Sequence, residues 1–124
     1  MSNAFSLEVT QRCKVSLIRM KEDLLNRVRG MSLEVSAHDK ASGDEIDQTV
    51  AQQQEDSFVA SQNRMRLLIM EIDFALAKIQ KGKFGICEET EEPIETDRLM
   101  ALPYTRLSLE GAELREGMKK KYAW

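Results

Sequence analysis

Two stretches of this chain contain neither glycine nor proline: residues 1–29 and residues 44–81. All six glycines and both prolines fall at 30, 43, or from 82 onward. Glycine loses the most backbone entropy on ordering and proline lacks the amide hydrogen, so these are the strongest local breakers of regular structure. Neither long stretch shows the Val/Ile/Thr/Tyr alternation of a strand. The expected fold is therefore mainly α: two long helices, then a compact, turn-rich tail. The division predicted is a helical hairpin over 1–81, with its tip near 38–48, and a small C-terminal region over 82–124 that includes a terminal helix.

The apolar pattern says how the two helices meet. In the first, Leu17, Lys21, Leu24, Val28, Met31 and Val35 step by four and three. In the second, Phe58, Met65, Ile72 and Ile79 repeat every seven residues, with Gln62, Ile69 and Leu76 in the other seam position. A spacing that averages about 3.5 residues keeps one stripe against a partner helix, which is the coiled-coil condition. The pairs Leu17/Met65, Leu24/Phe58 and Met31/Ala51 share one fold-back point near Ala41, so an antiparallel coiled-coil hairpin is expected. The connector from Ser36 to Gly43 has turn chemistry, and Ser42 or Asp44 would cap the second helix. Lys78-Ile79-Gln80-Lys81-Gly82 reads as a basic last turn closed by a C′ glycine. From Asp44 to Lys81 the second helix would be roughly 55 Å long. Its first half is polar (Gln52, Gln53, Gln54, Glu55, Asp56), so the distal hairpin would have a thin core, suited to probing rather than enclosing.

Charge and cysteine use narrow the classes of function. Eighteen basic and 21 acidic side chains give a net charge of −3. Bare nucleic acid is then an unsuitable main partner, since phosphate binding needs a clustered cationic surface. No run approaches the roughly eighteen apolar residues of a membrane span, and no secretory signal is visible at the N-terminus. The two cysteines, Cys13 and Cys87, are far apart and suit a reducing cytoplasm. No nucleophile–base pair, metal cluster or phosphate-cradling glycine loop is present, so an enzyme is not expected.

The tail carries a specific string: Phe84-Gly85-Ile86-Cys87, Pro93-Ile94, Arg98-Leu99, Ala101-Leu102-Pro103, and Leu107-Ser108-Leu109-Glu110. Together with the preceding hairpin, these elements resemble the DksA/TraR family of bacterial transcription regulators across almost the whole chain. The family signature is F-G-x-C-x-x-C, then P-I and R-L-x-A-x-P, then L-C-x-x-C and a terminal helix. The four metal-ligand positions that the resemblance implies fall on Cys87, Thr90, Ser108 and Gly111. Zinc needs four nitrogen, sulfur or carboxylate ligands, and only Cys87 offers a thiolate. The tail is therefore expected to be a degenerate, zinc-free version of a zinc finger, with no cofactor. Phe84, Ile86, Ile94, Leu99, Leu102, Tyr104, Leu107 and Leu114 are the side chains expected to hold it.

The resemblance implies a bacterial RNA polymerase as partner, with the hairpin inserted into the secondary channel to modulate initiation. The family tip motif D-x-x-D-x-A falls on Asp44, Asp47 and Thr49, with threonine in place of alanine. Carboxylates at i and i+3 share a helix face, although acidic residues at a helix start also serve simply as caps. Arg64 falls on a basic position that relatives use against the polymerase; exposed helix arginines are otherwise ordinary. The cations that relatives use for ppGpp in the stringent response fall on Glu71, Leu102 and Ala112, so ppGpp synergy through that site is expected to be weak or absent. A cytoplasmic monomer, with no membrane and no direct sequence-specific nucleic-acid partner, is expected. The competing reading is a coiled-coil adaptor or dimer-forming structural protein. Read plainly, Cys13 is core or surface filler in the first helix, His38 a solvated loop residue, the acids from Glu88 to Asp97 a solvated face, and Lys119-Lys120-Lys121 a complement to a helix dipole.

Overall fold

The computed structural model describes residues 7–41 and 48–122, with side chains described for 7–31 and 50–121. These residues form four helices: α1 (Leu7–Ala41), α2 (Gln48–Lys81), α3 (Thr96–Ala101) and α4 (Leu109–Tyr122). No strand occurs among them; Ile86 and Pro93 make an isolated antiparallel bridge in the tail. The fold is mainly α, a long antiparallel helical hairpin followed by a small C-terminal region and terminal helix.

Among the described side chains, the covered face of each helix is the a/d stripe of the heptad spacing; Val35 lies outside them, and Ala51, set against Met31 in that reading, is exposed. Leu17 and Leu24 of α1 are buried, with Lys21, Val28 and Met31 half-buried between and beyond them. On α2, Ile72 is buried, and Phe58, Gln62, Met65, Ile69, Leu76 and Ile79 are all half-buried. Of the large apolar side chains of α2 outside this stripe, Val50, Val59, Leu67, Met70 and Phe74 are exposed, and Leu68 is half-buried. Cys13 extends the α1 seam by one step and is buried, so it belongs to the core.

Compactness groups Met1–Arg19 with Glu71–Trp124, and Met20–Met70 forms a second unit. The first unit holds most of the core: Cys13 and Leu17 from α1, Ile72 and Ala75 from α2, and Phe84, Ile94, Leu99 and Pro103 from the tail. The Cys13 thiol lies 3.7 Å from the Leu99 carbonyl oxygen, joining α1 to the tail. Burial pushes that thiol's pKa up, which makes it an inert packing group. In the second unit Leu24 is buried and its seam neighbours are half-covered, the thin packing expected of the polar distal sequence.

Two expectations need correction. Residues Ser36 to Ala41, read as connector, are the end of α1. They contain no glycine or proline, and a nucleated helix continues until something stops it. The proposed caps of α2, Ser42 and Asp44, lie outside the described residues. In the tail, Leu102 and Leu114 are exposed rather than core. Leu102 ends α3 with its backbone turned out of helical geometry, and Pro103 takes the buried place. Leu114 lies on the solvent side of α4.

At the end of α2, Gly82 has φ 73°, which a side-chain-free residue adopts without strain. Its amide donates to the Ile79 carbonyl (3.2 Å), and that of Lys83 to the Lys78 carbonyl (2.9 Å). This paired closure satisfies the last carbonyls of α2 and turns the chain into the tail.

Candidate functional site

The tail turns back on itself directly after Gly82. Gly85, at φ 87°, lets the chain reverse, and Ile94 donates to its carbonyl at 2.7 Å. Cys87 donates its amide to the Glu92 carbonyl (2.8 Å), and Glu91 donates back to the Cys87 carbonyl (2.9 Å). Glu91 is the one described non-glycine residue with positive φ (59°), the strain this tight loop imposes on a side-chain-bearing residue. The loop wraps the Cys87 sulfur, and the Thr90 amide donates to it at 3.5 Å.

The start of α4 closes the other side. Ser108 is buried and acts as the N-cap, accepting the Gly111 amide at 3.0 Å. Glu95, from the far side of the tail, accepts the Leu109 amide at 3.2 Å. A carboxylate at the first turn of a helix is also favoured by the helix dipole. The four positions flagged in the sequence thus converge: Cys87 and Thr90 from the loop, Ser108 and Gly111 from the start of α4. Burial alone would raise the Cys87 thiol, but the Ser108 and Thr90 hydroxyls and the Thr90 and Ser108 amides together lower its pKa to about 6.

This donor set does not fit a structural zinc ion. One thiol, two hydroxyls and a glycine cannot supply four metal ligands. Among the described residues, no group of three or more His, Cys, Asp or Glu side chains is placed to hold a metal. Ser108, which cannot serve as a zinc thiolate, instead caps a helix. A serine followed by Leu109-Glu110, with acid in the first turn, is the sequence signal that would have found this cap.

Beside this centre, charged side chains tie the tail to α2. The Arg106 Nε lies 2.8 Å from Glu71 Oε2 and 3.9 Å from Glu88 Oε1, and the guanidinium stacks over the Phe74 ring at 4.1 Å. The buried Nε–H does not point along the line to Glu71, so that contact is Coulombic rather than a directed hydrogen bond. Lys78 donates to Glu88 at 3.2 Å, and Arg115 donates to Glu89 from both Nε (2.9 Å) and Nη2 (2.7 Å). Single pairs this exposed are worth about 0–1 kcal/mol, so the stacked and paired Arg106 matters more than any one bridge. Two acids of the 88–97 run, Glu88 and Glu89, are therefore clasp members, a role that sequence alone does not reveal, while the acids of the run as a whole are exposed. The crevice under the clasp, lined by Ala75, Phe84, Ile86 and Tyr104 among others, has a volume of about 10 Å³, room for one water.

Asp44 and Asp47 lie outside the described residues, and Thr49 belongs to α2 without its side chain being described. Arg64 is exposed on α2 and donates to the Ser61 hydroxyl at 3.0 Å. The structure therefore gathers the degenerate ligand positions into one cluster. No described helix is long and apolar enough to cross a membrane.

Comparison with known proteins gives a consistent result. Residues 82–117 match the family described as the prokaryotic dksA/traR C4-type zinc finger. The chain is 32% identical over 103 residues to the RNA polymerase-binding transcription factor DksA of Caulobacter vibrioides, covering 83% of this chain and 72% of that protein. Its fold is similar to that of transcription factor DksA2 from Pseudomonas aeruginosa, with a TM-score of 0.83, 27% identity, and coverage of 93% of this chain and 88% of that one. An RNA polymerase binding protein and transcriptional regulator from Chlamydia trachomatis shares the fold at a TM-score of 0.55 and 23% identity, over 91% of this chain and 93% of that one.

Proposed function

The chain belongs to the DksA/TraR family, and from that premise we propose that it regulates transcription by binding bacterial RNA polymerase and placing its hairpin tip in the secondary channel. The observation that carries this reading is the extent of the likeness: 83% of the chain aligns with a polymerase-binding relative, more than the C-terminal region alone can account for. A shared finger alone would have supported much less. The acids that act are Asp44 and Asp47, with Thr49 beside them, and Arg64 contributes to polymerase contact from its exposed place on α2. The protein works as a monomer and is not an enzyme.

The test is transcription in vitro from a promoter sensitive to such factors. Asp44→Asn with Asp47→Asn is expected to leave polymerase binding within about twofold and to abolish the effect on transcription, since a neutral amide keeps the shape and removes the charge. An unaltered effect would remove the tip acids from the mechanism.

Regulation by ppGpp through the family site is weak or absent in this reading. Glu71 stands where responsive relatives place a lysine, and it already faces Arg106 at 2.8 Å. A polyanion would meet a carboxylate there and compete for a cation in use. Adding ppGpp to the protein–polymerase complex is expected to change its transcriptional effect by less than about fivefold, the most that the roughly 1 kcal/mol of a screened surface contact supplies. Strong enhancement would contradict this. Activity is likewise independent of zinc, because the donor set at the tail centre offers one thiol.

A further inference from the structure

The tail centre is not merely short of ligands; its geometry is closed. A β-carbon built on Gly111 would fall on the Cys87 sulfur, inside the 3.0 Å that real β-carbons keep, whereas Ser108 Oγ (3.3 Å) and Glu89 Cβ (3.4 Å) could yield slightly. One atom therefore makes position 111 intolerant of a side chain. That atom is not free to swing aside, because Cys87 is 1% exposed and its sulfur accepts the Thr90 amide.

We infer that Cys87 and Gly111 are a size-matched lock that holds the tail in place of a metal: the sulfur fills the room that the absent β-carbon leaves, and so joins the 87–92 loop to the first turn of α4. This rests on the zinc-free reading above and goes further. In a four-ligand site the first and last positions both point side chains at a central ion; here one side chain occupies the centre and the other has been given up. A ligand cannot be regained at 111 by one substitution, since even Gly111→Cys would drive its β-carbon into the Cys87 sulfur. The lock also explains a glycine in the first turn of α4, where helix propensity favours almost any other residue.

The lock makes a prediction about sign. Gly111→Ala should lower the melting midpoint of the full chain by about 5 °C or more, the scale of overpacking a closed core. In a Cys87→Ala background the same substitution should leave the midpoint unchanged or raise it by about 3 °C, because the collision is gone and alanine suits a helix better. If Cys87→Ala lowers cooperativity too far to measure, Cys87→Ser, with its shorter bond to a smaller atom, should show the same relief in reduced form. A loss from Gly111→Ala that is equal in both backgrounds, or absent from both, would overturn the lock. Zinc chloride added at equimolar level separates this from the reading beneath it. No midpoint should move in any variant; a zinc-dependent rise that persists without Cys87 would overturn the zinc-free reading alone, and one that requires Cys87 would overturn both.

Discussion

Cys87 shows how one residue can change its chemistry without moving in the sequence. Its thiol is buried, yet the hydroxyls of Thr90 and Ser108 and two amides bring its pKa to about 6 from an ordinary 9.0. The unfolded chain then binds more protons at Cys87 than the folded chain between those values, so stability should rise with pH from about 6 to 9. Below pH 6 that contribution is lost. Urea unfolding at pH 5.5, 7 and 9 should show the increase, and Cys87→Ala should flatten this part of the profile; a wild-type slope of opposite sign in that window would contradict the hydrogen-bonded arrangement. The sequence made the convergence of Cys87, Thr90, Ser108 and Gly111 legible through spacing and resemblance. It did not show what surrounds those four positions, because a helix cap at Ser108, a clasp from Arg106 to Glu71 and a missing β-carbon are matters of three-dimensional contact.

At the level of elements, burial follows the seven-residue repeat closely enough to separate residues of similar chemistry. Ile72 is fully buried, and Leu67, five positions earlier on α2, is 61% exposed. Ile72→Ala should cost about 2–5 kcal/mol of unfolding free energy, and Leu67→Ala should stay within about 0.5 kcal/mol. Equal costs in denaturant unfolding would mean the seam is misassigned. The two long helices were legible because a stripe repeated over several heptads has few alternative packings. The end of α1 was not: Ser36, Asp39 and Lys40 look like turn residues, but with no glycine or proline from Ser36 to Ala41 that stretch has nothing local to stop the helix. Leu102 and Leu114 were misplaced for a different reason. Short tail helices have no long periodic signal, so which apolar residue turns inward is decided by neighbours such as Pro103.

For the molecule as a whole, the net charge of −3 gains meaning from the family. An acidic chain is poorly suited to holding DNA directly and well suited to working through a protein that does. The adaptor reading keeps the same helices but requires them to serve a different partner, and the two readings differ most in what the purified chain does when mixed with polymerase. The most direct measurement is size-exclusion chromatography with light scattering of the full chain, alone and with purified core RNA polymerase. The chain alone should have the mass of a monomer and, with polymerase, should co-elute as a saturable one-to-one complex. A dimer that never joins the polymerase peak would contradict the central claim and leave the adaptor in its place.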